Sequence, residues 1–190
     1  MIKKRIIKNS LIGLISIASL GCVNVKHQPQ VFSGENLITP YSGFLAGWQV
    51  HVENKPHYHS RMWQHPELGF KDAYVVSVTP REQNALSHFR AVIDQPGIQS
   101  CENFTSSTID SKHPADYPAE FWQTNCLRKD TSEAIILHLL LRGNDSLYHV
   151  QKIWQGTFAS AELDAWISRF QQIYICDTRS QKSPCPAIQP

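Results

Sequence analysis

"EAIILHLLLRGNDSLYHVQKIW", residues 133–154, reads as two strands hinged on a four-residue turn. Gly143, Asn144, Asp145 and Ser146 supply the turn: glycine reaches positive φ without steric cost, and the short polar side chains hydrogen-bond their own backbone. Centring a hairpin there sets Ile135, Leu139 and Leu141 opposite Trp154, Val150 and Tyr148. One face is then consistently apolar and specifies the register. The other face carries His138, His149 and Gln151, with the two histidines diagonal to one another, and is expected to be wetter.

Upstream, "AYVVSV" (73–78) is β-branched and aromatic, which predicts a buried strand, and "VTPREQNALSHFRAVIDQPG" (78–97) follows it directly. Thr79 suits a helix cap, Pro80 the first helical position, and Glu82 the third place of a capping box. Leu86, Phe89, Val92 and Ile93 recur at helical spacing, and Pro96-Gly97 is expected to stop the helix. A second amphipathic helix is expected from Ser160, with Glu162 and Asp164 in its first turn and Leu163, Trp166, Phe170 and Ile173 on one face. Between the helices, "ENFTSSTID" (102–110) and "PAEFWQTN" (118–125) flank a loop from Ser111 to Pro118 and read as an antiparallel pair.

These elements predict an α+β fold: an antiparallel sheet packed with two helices, in the order strand, helix, strands, helix. The order resembles the PsbP-like sandwich, whose members are mostly accessory and binding proteins; the likeness is one of element order and carries no residues over. "YPAEFWQTNC" (117–126) and "CDTRSQKSPCP" (176–186) also resemble segments of uncharacterised exported proteobacterial proteins, which implies no activity.

The first residues bear on the compartment. Lys3, Lys4, Arg5 and Lys8 precede an apolar run from Leu11 to Leu20, which is the layout of a secretory signal and too short to span a bilayer. Ala18-Ser19-Leu20-Gly21-Cys22 resembles the lipobox of bacterial lipoproteins, with Ser19 standing where that family usually has Leu. The resemblance implies cleavage before Cys22 and acylation of its thiol and new amine, a two-signal anchor in the membrane. Val23, rather than Asp, after that cysteine implies sorting to the outer membrane, on its periplasmic face. The chain then divides into a signal peptide at 1–21, a lipidated cysteine with a flexible tether at 22–40, and a single domain at 41–190.

Of five cysteines, removal of Cys22 to lipid leaves Cys101, Cys126, Cys176 and Cys185, an even set suited to an oxidising compartment. Four cysteines allow three pairings. An antiparallel pair centred on the 111–118 loop brings Cys101 beside Cys126, which favours that bridge and leaves Cys176 with Cys185. Export also changes the charge. The chain is +2 as a whole; four of its 18 Lys and Arg precede Cys22, leaving 14 against 16 Asp and Glu, or −2. No basic patch remains to suggest nucleic acid.

Two groups could carry function. His51, His57, His59 and His65 fall in "HVENKPHYHSRMWQH" (51–65), and His57 and His59 would point the same way on an extended strand, a spacing used by zinc and copper sites. Pro56 and Pro66 make this stretch a loop, where histidines are ordinarily just solvated. Tyr41, Phe44, Trp48, Tyr58, Trp63 and Phe70 crowd the same region. They either cover the sheet as core or offer a partner surface, with Trp48, Tyr58 and Trp63 as its candidates. No nucleophile elbow, His-Glu-x-x-His run or paired acids at a usable spacing is present, and no cofactor is expected. The resulting expectation is a non-catalytic, lipid-anchored accessory protein that binds other envelope proteins. A metal- or small-ligand-binding lipoprotein using the 51–65 loop stands second and an envelope hydrolase third.

Overall fold

Alternation in the 133–154 hairpin sorts its side chains onto two faces, and each face has its own cover. The computed structural model describes residues 31–39, 45–82, 84–110, 113, 117–156 and 160–186. Residues 1–30, which hold the expected signal peptide, Cys22 and the first part of the expected tether, lie outside the described residues, as do Tyr41 and Phe44. In chain order the elements are β1 (Glu35–Ile38), β2 (Gln49–Lys55), β3 (Tyr58–His65), β4 (Gly69–Pro80), α1 (Leu86–Ser100), β5 (Asn103–Thr108), β6 (Ala119–Leu127), β7 (Glu133–Arg142), β8 (Ser146–Gln155), α2 (Ser160–Phe170) and β9 (Tyr174–Asp177).

Seven strands form one antiparallel sheet in the order β2-β3-β4-β8-β7-β6-β5, and β1 pairs with β9 in a second, two-stranded sheet. The fold is a sheet-dominated α+β fold braced by two disulfides. In the central hairpin Ile135 faces Trp154, Leu139 faces Val150 and Leu141 faces Tyr148. That face meets α2 and the β1–β9 ribbon: Trp166 and Phe170 of α2, with Ile173 and Ile175, pack on Tyr74, Phe121, Leu137, Leu139 and Leu141. Phe121 stacks on Phe170 with centroids 5.5 Å apart. Each fully buried leucine here contributes about 1.5–3 kcal/mol by leaving water.

The opposite face is not wet. Helix α1 lies across it and buries Trp122, Leu140 and Leu147 against Leu86, Phe89 and Ile93, and His138 is buried beneath the same helix. Leu140 and Leu147 share the phase of the histidines, so an apolar helix face had something to cover.

Four local expectations are corrected. Residues 51–65 form most of a hairpin, β2 and β3, rather than a loop: Pro56 and His57 occupy its tight turn, and Pro66 begins the turn into β4. Proline is tolerated at hairpin turns, where its amide is not needed. Part of the 22–40 tether, Glu35–Ile38, is β1, held by pairing with β9. Helix α1 begins at Leu86 with no side-chain cap, because β4 keeps pairing with β8 as far as Pro80 opposite Ser146. At its other end α1 runs through Pro96 and Gly97 to Ser100, whose hydroxyl donates to the Pro96 carbonyl.

Cys101 is bonded to Cys126, with Cα atoms 5.4 Å apart, and Cys176 to Cys185, 4.8 Å apart. Cys126 sits inside β6 opposite Phe104, and Cys101 precedes β5. The first bridge therefore joins the end of α1 to the sheet, and the second pins the tail to β9.

Candidate functional site

The histidines of 51–65 do not converge. Along β2 and β3 the pairing sets His51 opposite Met62 and His59 opposite Asn54, and the two-residue period sends His51 and His59 to opposite faces of the sheet. His51 Nε2 contacts Gln64 Oε1 at 3.1 Å, while His59 Nδ1 contacts Asn54 Oδ1 at 3.2 Å. His57 lies in the turn, so it does not extend a strand with His59. His65 Nδ1 accepts from the backbone of Glu67 and Leu68, and its ring meets Trp48 edge-on. Among the described residues no three His, Cys, Asp or Glu side chains gather as a metal site.

Nor do Trp48, Tyr58 and Trp63 form one aromatic surface. Trp63 packs half-buried on the α2 side of the sheet against Tyr74. Tyr58 is on the other face, with its hydroxyl 3.0 Å from that of Ser77. Trp48 precedes β2 and covers a buried lysine.

A groove lies instead between the β2–β3 hairpin and β1, with a volume of about 550 Å³. Leu37, Val76 and Val78 supply apolar wall, and Trp63 and Arg61 stand on its outer side with the guanidinium 5.7 Å from the indole centroid. Asn54 and His59 close the turn end. The groove combines an apolar lining with the Arg61 cation, the Glu35 carboxylate and several amide, hydroxyl and imidazole groups, a mix that suits an extended peptide.

Two buried polar clusters escaped the sequence reading. Lys152 is fully buried on the α2 side, paired with Asp72 and ringed by indoles: Trp154 at 4.4 Å, Trp166 at 5.0 Å and Trp48 at 5.4 Å from its Nζ. Burial lowers its pKa, opposed by the Asp72 hydrogen bond and charge. The signal was available, because the alternation that turns Tyr148, Val150 and Trp154 inward turns Lys152 inward too.

On the α1 side Trp122, His138 and His149 stack as parallel plates, His138 centred 4.7 Å from the Trp122 ring. Trp122 Nε1 donates to Asp94 Oδ1 on α1 at 3.1 Å, and Arg90 lies over the same indole at 5.3 Å. Burial, then the neighbouring His149 and Arg90, holds His138 well below its ordinary pKa. Burial brings His149 to about 4. The Lys152 cluster is closed off by the indoles around it, while the α1-side cluster keeps His149 half-buried and borders a cavity of about 200 Å³ lined by Asp94, Thr124 and His138.

No protein-family model matches the chain, and no curated protein matches it.

Proposed function

We propose that this chain is a lipid-anchored accessory protein of the cell envelope that binds extended segments of other envelope proteins in the groove between β1 and the β2–β3 hairpin, without catalysing a reaction. The observation that carries this reading is the groove itself: Leu37, Val76 and Val78 form an apolar lining beside the Arg61–Trp63 pair, next to a strand edge. Such a site offers main-chain and apolar recognition, with Arg61 and Glu35 as charges of opposite sign for orientation. The two disulfides fit an oxidising compartment, and the lipobox-like Ala18–Cys22 segment supports attachment through Cys22.

Against the metal- or small-ligand-binding alternative, His51 and His59 face apart and His65 Nδ1 accepts from backbone amides. Titration calorimetry with zinc and copper tests it directly.

The test of the main reading is a photo-crosslinking residue at His59, in the groove, compared with one at exposed Asp164 on α2. Discrete crosslinked partners from His59 and none from Asp164 are expected. Equal patterns at both positions would remove the groove from the account. Loss of radiolabelled palmitate in Cys22→Ser tests the anchor.

A further inference from the structure

The two edges of the seven-stranded sheet are finished differently. At β5 the edge is braced: the Cys101–Cys126 bridge ties its entry to β6, and Arg90 reaches from α1 to the Ser106 and Thr108 hydroxyls at 3.0 and 2.8 Å. At β2 all seven residues are exposed, none is proline, and the strand runs along β3 without a register shift. Proteins ordinarily blunt an open edge with a bulge, a proline, charged side chains or a cover, because its free amides and carbonyls template another strand; of these β2 carries only Glu53 and Lys55, which pair with each other at 2.7 Å. Here Val50 and Val52 stand 51% and 56% exposed on the Trp63 side of that edge.

We propose that β2 is a homodimerisation edge, where a second copy of this chain pairs antiparallel about a twofold axis at Val52. Twofold pairing is isologous, so the strand has to complement itself. With the axis at Val52, the two Val52 side chains meet on one face and Val50 lies opposite Asn54 of the second copy. On the other face His51 lies opposite Glu53 of the second copy and Gln49 opposite Lys55. Hydrogen-bonding and apolar partners thus fall together without two like charges facing each other. Moving the axis to Glu53 sets two carboxylates face to face, and moving it to His51 sets two imidazoles face to face. Axes at Val50 or Asn54 also avoid like charges but pair only three of the seven strand residues, whereas the axis at Val52 pairs all seven, and QVHVENK therefore favours that register of itself. The pairing joins two sheets into one and places the two grooves side by side. It stands independently of the partner reading, since the pairing can hold whether or not His59 crosslinks to anything.

A cysteine scan of the full chain in cells, with mild oxidant and non-reducing gels, tests the axis. Directly opposed residues of antiparallel strands lie within disulfide reach. Only an axial residue opposes itself, so Val52→Cys should give about tenfold more linked dimer than Val92→Cys on α1, which is equally exposed. Val50→Cys alone should stay near the Val92→Cys level, whereas Val50→Cys co-expressed with Asn54→Cys should link. A Val52→Cys band no stronger than that of Val92→Cys, a Val50→Cys band as strong as that of Val52→Cys, or a link to a different protein in place of the second copy overturns the proposal. A measurement without cysteines closes the test: by light scattering, Val52→Glu and Val52→Lys should each be monomeric and their mixture dimeric. A mixture that stays monomeric also overturns it.

Discussion

His138 and His149 lie ring over ring, with centroids 5.5 Å apart and Nδ1 of one 3.2 Å from Nε2 of the other. One hydrogen fits between those nitrogens, so the contact needs at least one neutral ring. The surrounding groups are Arg90 of α1, Trp122 and Thr124 of β6, Gln151 of β8 and Ser77 of β4. Because His149 titrates at about 4 when folded, the folded chain binds fewer protons than the unfolded chain between that value and the ordinary value of 6.5. The contribution is intact above pH 6.5 and is lost as pH falls toward 4. Between pH 7 and pH 5 this amounts to about 2 kcal/mol. Buried His138 adds a dependence of the same sign, so urea midpoints at the two pH values should differ in the wild type, less in His149→Gln and least when His138→Gln is added; an unchanged difference in His149→Gln would refute the assignment.

The Lys152–Asp72 pair predicts strong non-additivity. Asp72→Asn leaves a buried ammonium without its counter-charge and should cost about 3–5 kcal/mol. Adding Lys152→Met should recover most of that loss, because an unbranched apolar chain fills the space among Trp48, Trp154 and Trp166. Thermal denaturation of both single variants and the double variant measures the coupling; losses that simply add would show that the charges do not depend on one another.

The two bridges should differ. Cys101 and Cys126 are 25 residues apart and Cys176 and Cys185 nine, for which chain entropy gives about 3.5 and about 2.5 kcal/mol. Cys101→Ala with Cys126→Ala should lower the unfolding midpoint more than the second pair of replacements. Burial of Cys176 narrows the gap, since alanine there leaves a void. Calorimetry of both double variants decides the order.

Asp94 is buried on α1 and accepts the Trp122 indole hydrogen. Asp94→Ala strands that donor beneath the helix and should cost about 1–3 kcal/mol. Hydrogen exchange should quicken over α1 while the β7–β8 amides stay protected. Uniform quickening across the sheet would show that α1 does not loosen separately.

The central hairpin was legible because its evidence is local: a turn cluster flanked by two runs of period two. The failures have one physical source, which is pairing with distant chain. Thr79 and Pro80 have the chemistry of a helix start, yet ladder bonds to Leu147 and Ser146 keep them in β4. Four-residue β1 is too short to show periodicity and exists through β9, well over a hundred residues later. Reading Pro56 as a loop marker hid β2 and β3, and with them the separation of His51 from His59. Cover is equally non-local: nothing within 133–154 says that α1 will close over His138. Lys152 differs, since period two alone placed it inside and only its charge argued otherwise.

The β1–β9 ribbon also determines how the fold carries mechanical load. Its strands are antiparallel, so tension on the chain ahead of Glu35 opens Glu35 from Asp177 first and then peels three further pairs in turn. The leading end is latched: Glu35 accepts from the Asn144 and Asp145 amides, and Gly34 and Thr178 exchange two hydrogen bonds. A pull from the amino-terminal side is therefore met first by this four-pair ribbon, and only after Leu37 and Ile38 have been drawn out of the core does it reach the seven-stranded sheet.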